Sequence, residues 1–320
     1  MKLPLITNSR ASTFRSCPRL HQIEYNLGYR VAKQEDTLRF GSLVHLGLEA
    51  WWQTRSLGGA LQAMSGEADP FDLARAEVAL VGYDARWSAE PFETLAVEVQ
   101  FETELRNPDT GASSRTFRLA GKIDAIARIG DRVVVVEHKT SSEDVSPGST
   151  YWRRLRLDSQ VSTYMVGARA LGYDVSGCMY DVLAKPNIRP AKATPVENRT
   201  YRKDGALYAN QRAEDETPEE FRARLFSLVS ENPERYYARG DVVRLENEES
   251  DAAFDLWSTA RSIREAQVAN RHPRNPGSCL RYGRECGFFD VCTGVASLDD
   301  AARFRKIETP HEELAAVAAE

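Results

Sequence analysis

Apolar residues recur at spacings of three and four over residues 12–28 (Phe14, Cys17, Leu20, Ile23, Leu27), which predicts a helix. The same period predicts helices over residues 37–52, 69–87, 158–171, 221–231 and 250–268, with Gly172 closing the fourth. Ser9 or Ser12 is the expected cap of the first helix. Strict alternation predicts a strand over 95–105, and Asn107-Pro108-Asp109-Thr110-Gly111 reads as a turn. Strands follow over 117–129 and 133–139, joined by Gly130-Asp131, with a shorter one over 178–183. Residues 185–195 are proline-rich and irregular, and 277–292 form a compact loop. The alanine-rich tail beyond Ala301 reads as helix or disorder, with no function assigned.

The joined strands carry the first chemistry. If Gly130-Asp131 is a two-residue turn, Ile129 faces Arg132 and, counting back, Asp124 lies opposite Glu137. Directly opposed Cβ atoms sit about 4.5–5.5 Å apart. Two carboxylates so placed repel each other, and the four valines at 133–136 imply burial, which sharpens the conflict. A hard divalent cation removes it: Mg²⁺ takes one or two carboxylates and keeps several waters. Lys139 lies two residues beyond Glu137 on the same face, suited to orienting a water or stabilising phosphate charge. His138 points to the other face. The competing reading is a surface hairpin with solvated acids.

Hydrophobic residues make up 42% and charged residues 28% of 320, as expected of a soluble globular chain. No apolar run approaches the roughly 20 residues needed to span a bilayer. Met1 to Arg10 lacks the charged-then-apolar order of a secretory signal, so the expected location is cytoplasmic. A net charge of −5 argues against nucleic acid as a partner on balance alone. Two local basic stretches point the other way: Arg153, Arg154 and Arg156, and Arg199, Arg202 and Lys203. Five cysteines (Cys17, Cys178, Cys279, Cys286, Cys292) fit four metal ligands and one bystander at least as well as disulfides in a reducing compartment. Thiolates at such spacing suit iron–sulfur or zinc. Cys178, in a strand, reads as a buried small hydrophobe.

Asp124…Glu137-His138-Lys139 resembles the PD-(D/E)XK nuclease signature, most closely its RecB-type branch, which includes the AddB nuclease domain and the CRISPR adaptation nucleases. Four further stretches resemble that branch. Gly41-Ser42-Leu43-Val44-His45 is similar to its G-x-x-x-H helix, which makes His45 a metal ligand; Glu49, one turn on, is an outer partner or solvated. Gln160-Val161-Ser162-Thr163-Tyr164 is similar to its Q-x-x-x-Y helix, which assigns Gln160 and Tyr164 to DNA. Residues 12–19 resemble the S-x-F-x-x-C-P-x opening. One early and three late cysteines resemble a [4Fe–4S] ligand set, Cys17 with Cys279, Cys286 and Cys292. Many members have C-x-x-C-x5-C, whereas six residues separate Cys279 from Cys286 here, which keeps zinc open.

The resemblance implies an α/β fold: a restriction-endonuclease-like mixed sheet flanked by helices, its N- and C-terminal segments joined at a metal cluster. It implies one domain over 1–295, with the cluster in 1–30 and 270–295, the catalytic core in 90–185, and a tail over 296–320. Asp124, Glu137 and Lys139 are the implied catalytic residues, with Mg²⁺ or Mn²⁺ on His45, Asp124, Glu137 and the His138 carbonyl. Glu98 is a weaker candidate. Arg153 and Arg154 join Gln160 and Tyr164 as expected DNA contacts. The implied activity is metal-dependent DNA hydrolysis, as an exonuclease in recombination, repair or phage DNA processing. No G-x-x-x-x-G-K-[ST] phosphate loop is present, so any helicase is a separate protein. The alternatives are a non-catalytic DNA-binding or scaffold subunit of a helicase–nuclease complex, and a zinc-clipped protein with no DNA role.

Overall fold

The structure, a computed structural model, describes residues 2–32, 36–66, 68–281 and 284–314. Strand β1 (Leu5–Ile6) leads into α1 (Asn8–Ser16), whose cap is Thr7: its hydroxyl accepts from the Arg10 amide, so neither Ser9 nor Ser12 opens the helix. The single helix expected over 12–28 is broken at Cys17 (φ −160°, ψ 112°), because a proline ring excludes helical backbone from the residue before it. α2 (Pro18–His21) and a π-helical turn (Gln22–Asn26) follow, then β2 (Tyr29–Val31). α3 spans Asp36–Thr54 and α4 Leu57–Ala63. α5 (Pro70–Trp87) starts on an Asp69 cap, with proline where no amide donor is needed.

β3 (Glu93–Arg106), β4 (Ser113–Ile129) and β5 (Arg132–Ser141) form the expected meander, all three longer than the alternation suggested. α6 (Thr150–Leu155), α7 (Ser159–Ala170, capped by Asp158) and β6 (Val175–Ala184) follow. α8 (Pro218–Glu231) carries a capping box between Thr217 and Glu220. β7 (Tyr237–Val242), unforeseen, precedes α9 (Glu246–Ala269). The expected loop over 277–292 contains β8 (Leu280–Arg281), β9 (Arg284–Glu285) and the start of α10 (Phe289–Thr293); residues 282–283 lie outside the described ones. Where described, the tail holds a short strand and one 3-10 turn (Glu312–Leu314) rather than a long helix. Phe304–Lys306 forms β10, antiparallel to β2, and residues 315–320 lie outside the described ones.

The central sheet runs β1-β4-β5-β6-β7, with β3 on the other side of β4. β5 and β6 are parallel, while β3–β4, β4–β5 and β6–β7 are antiparallel. Val134, Val135 and Val136 of β5 are buried, as are Ala125–Ala127 of β4, because helices cover both faces there. α7 packs against one face and α3 with α5 against the other, where Trp51, Trp52 and Tyr83 are fully buried. Truncating an aromatic of that layer to alanine costs about 3–5 kcal/mol. No helix among the described residues is long and apolar enough to cross a membrane.

Candidate active site

β1 and β5 share one long edge of β4 without meeting. β1 pairs with Arg118 and Leu119, and β5 pairs from Ala125 onward. Between them β4 has no ladder partner on that edge, and Asp124 ends the stretch. The Ile129–Arg132 pairing gives the register that places Asp124 next in line opposite Glu137. Asp124 extends the pairing through its side chain: Oδ2 accepts from the His138 amide at 2.8 Å. Three residues back, a Cβ on Gly121 would fall 2.7 Å from the Phe101 ring and 3.2 Å from Tyr164, so only glycine lets α7 sit this close.

Glu137 is 3% exposed, and its Oε2 is buried with no hydrogen-bond partner. Burial, then the charge of Asp124, push its carboxyl up to about 8. Lys139 opposes this, its Nζ donating to Glu137 Oε1 at 2.6 Å and to Gln160 Oε1 at 2.7 Å. Burial works against the ammonium, but Glu137 holds it up to about 12, so Lys139 remains a cation. Gln160 Nε2 donates to the Tyr164 hydroxyl at 2.9 Å. Burial, with Glu137 and Asp124, keeps that phenol well above its usual range and hence neutral. Gln160 and Tyr164 thus form a relay of side chains ending on Lys139. Asp158 also belongs here: it caps α7, accepts from Tyr180 at 3.0 Å, and its charge reaches Glu137.

His45 reaches the site from α3. Burial pushes it below its usual value, opposed by Asp124, so the ring is neutral, the form that ligates metals. Its centroid lies 6.3 Å from that of His138. The His138 ring occupies the α3 face beside Trp52, with Nδ1 3.3 Å from Asp181. Asp181 sits in a buried network with Tyr83, Trp52 and Arg239. Burial works against its charge, yet Arg239 and His138 hold the carboxyl well below its usual range. Glu98, in the left-handed region (φ 51°) between the paired residues Val97 and Val99, forms an ion pair with Lys122. Glu49 accepts from Gln53 at 3.3 Å.

Whether the residues fit a divalent ion is decided by Glu137. A buried carboxylate oxygen without a donor, beside a second carboxylate and a neutral imidazole, is a hard-ligand set with unmet demand. Among the described residues no three His, Cys, Asp or Glu side chains are grouped closely enough to hold a metal ion. The pH dependence tests the fit. Unfolded, Glu137 releases its proton near 4.5; folded, it keeps it to about 8. The unfolded state therefore binds fewer protons in that window, and metal-free stability falls as pH rises through it. Thermal melts in EDTA should decline from about pH 5 to 8, less so in Glu137→Gln, and Mn²⁺ should recover the loss at the upper end. Parallel profiles for the two proteins, with no response to Mn²⁺, would remove Glu137 from the metal site.

Of the expected DNA contacts on α6, Arg153 is exposed, while Arg154 is 3.1 Å from Glu143. Arg156 is exposed. Arg199 is tied into its own loop, donating to the Thr194 and Ala213 carbonyls. Cys178 is 2% exposed within the sheet. Cys17, Cys279, Cys286 and Cys292 line one small cavity with Leu20, Ile23, Phe288 and Phe289, and none is in a disulfide. Burial pushes Cys286 upward, a backbone bond from Phe288 eases it, and the other three thiols add to the rise. The four thiols share that apolar lining, but among the described residues they are not grouped closely enough to hold a metal ion. The sequence offered no signal for Arg239 or Lys122. It did hold one for Asp181, a lone acid within an apolar strand.

A mixed sheet flanked by helices, with two acids and a lysine where two strands part, is the restriction-endonuclease-like arrangement. The chain belongs to the PD-(D/E)XK nuclease superfamily, whose family profile matches residues 6–293. No curated protein matches. Among solved structures it is similar to a candidate exonuclease from Eubacterium rectale: 12% identity, TM-score 0.49, covering 92% of this chain and 89% of that one. A phage-related exonuclease from Haemophilus somnus is 14% identical, with TM-score 0.33, over 84% of this chain and 97% of that one.

Proposed function

We propose that the protein is a Mg²⁺- or Mn²⁺-dependent deoxyribonuclease, an exonuclease acting on DNA ends or single strands in recombination, repair or phage DNA processing. The observation that carries this is the partnerless buried oxygen of Glu137, set beside Asp124 and within reach of a lysine that stays charged. His45, Asp124 and Glu137 would hold the ion, with the His138 carbonyl as a further ligand. Bound there, a divalent cation supplies an activated water and polarises the phosphate. Lys139, fixed between Glu137 and Gln160, holds its ammonium where the attacking water or the developing phosphate charge needs it. Gln160 fixes the lysine and, with Tyr164, lies along the approach of the strand, and Arg153 and Arg154 meet phosphates beyond it.

The four cysteines would hold a [4Fe–4S] cluster in a structural role, with zinc the competing metal. Metal and sulfide analysis of the purified protein separates these: iron with acid-labile sulfide favours the cluster. A separate helicase or recombination protein fits as a partner, since this chain has no phosphate loop of its own.

Digestion of end-labelled single- and double-stranded DNA tests the activity. Cleavage is expected with Mg²⁺ or Mn²⁺ and none with EDTA. A protein that binds DNA but never cuts it with either metal is instead the non-catalytic subunit of a nuclease complex. Cutting that persists in EDTA would overturn the metal-dependent mechanism.

A further inference from the structure

Between β6 and α8 the chain makes a long excursion without regular helix or strand beyond one short turn (Val196–Asn198) and a bridge between Tyr201 and Leu207. It leaves the sheet at the end that carries the site. The Lys185 amide donates to the Ser141 carbonyl at 2.7 Å, two residues past Lys139, and Asn187 Nδ2 reaches the Ser142 carbonyl at 3.3 Å. The excursion is held by its own polar bonds. The Thr194 amide donates to the Arg212 carbonyl and the Arg212 amide to the Thr194 hydroxyl, Gln211 spans the Thr200 amide and the Asn198 carbonyl, and Arg199 clasps two carbonyls across the loop. Asp215 and Glu216 secure its foot to Lys192, Ala191 and Arg224. Gly205 (φ +79°) turns its tip.

That bracing leaves two aromatic side chains in solvent, Tyr201 at 57% and Tyr208 at 50% exposure. The Arg202 guanidinium lies 6.0 Å from the Tyr208 ring centroid. Residues 185–217 hold seven basic side chains and five acidic ones in a chain whose net charge is −5. The acids around the foot are taken up by Lys192, Arg212 and Arg224. Arg189, Arg202 and Lys203 have no carboxylate partner among the described residues. Exposed aromatic rings interleaved with cations are what a single strand needs: every base has a face to stack on, and the backbone needs positive charge.

We infer that this excursion is an arm that holds single-stranded DNA, with Tyr201 and Tyr208 stacking on bases and Arg202 and Lys203 on phosphates. The inference rests on the nuclease reading above and adds a second contact, away from the reacting atoms. A protein partner would also use exposed tyrosines, but Arg189, Arg202 and Lys203, without carboxylate partners among the described residues on a segment rooted at the site end of the sheet, favour a polyanion.

The test is fluorescence anisotropy of a labelled oligothymidylate in EDTA with the full-length protein. Tyr201→Ala/Tyr208→Ala is expected to weaken binding at least about tenfold, since one lost base stack is worth about 5–150-fold. Tyr201→Phe/Tyr208→Phe should restore most of the affinity. Arg202→Ala/Lys203→Ala should weaken binding and flatten its salt dependence. Thermal melts of all three variants should match the wild type, because these side chains pack on little. Wild-type affinity in Tyr201→Ala/Tyr208→Ala overturns the proposal and leaves the arm as a protein-facing surface. Affinity that is lost only together with the melting transition overturns it as well. A wild type that cleaves DNA while the variants bind equally well sinks the arm alone. A wild type that neither binds nor cleaves sinks the nuclease reading with it.

Discussion

Lys139→Ala is expected to lose cleavage by at least about 10²–10³-fold while the protein still binds DNA. The ammonium is held at 2.6 Å from Glu137 and 2.7 Å from Gln160, so it is fixed before substrate arrives. Truncation removes the positive charge hydrogen-bonded to Glu137 and strips Oε1 of that donor, while Oε2 already has none. The loss should therefore fall on the chemical step, with an altered Mn²⁺ requirement as a second sign. Affinity for an end-labelled oligonucleotide in EDTA should stay within a few-fold, since strand contacts lie elsewhere. Wild-type turnover in this variant would remove Lys139 from the mechanism. Lost binding of equal size would make it a strand contact instead.

The second large effect is expected from Cys286→Ala. In the cluster reading, four thiols join segments 262 residues apart, Cys17 and Cys279, and a link of that span favours the folded state by about 5 kcal/mol in the chain-entropy picture. Hydrogen bonds from Asn275 and Ser278 to the Ser16 carbonyl already hold part of this junction. The variant should therefore lose soluble yield and iron, and melt at least about 5 °C lower, before it loses any defined chemical step. Protein that remains folded and active with no bound metal would show that the cysteines pack and do nothing more.

The helices and the meander were legible because amphipathic period and turn chemistry are local. The two-residue turn at Gly130-Asp131 fixed the opposition of Asp124 and Glu137, since a register counted from a tight turn cannot slip without turning the valines outward. The break at Cys17 was legible in Pro18 but was overridden by the apolar period running through it. β7 and β10 were not legible: each is defined by a partner strand far away in the chain, and neither alternates clearly on its own. Within the site, the acids and lysine were visible as a pattern, whereas the Asp181–Arg239–Tyr83 layer beneath His138 exists only once β6, β7 and α5 are packed together. Lys122 and the strained backbone of Glu98 likewise emerge from how β3 and β4 meet.

β2 finds its partner strand only in β10, about 270 residues later. On the ribosome, at roughly 5–20 residues per second, the early segment waits tens of seconds before Phe304 and Phe288 arrive to cover Ile23. Until residue 279 is made, Cys17 stands with none of the three late thiols beside it. Termination between β5 and β10 would leave a chain with Asp124, Glu137 and Lys139 made and its seam still open.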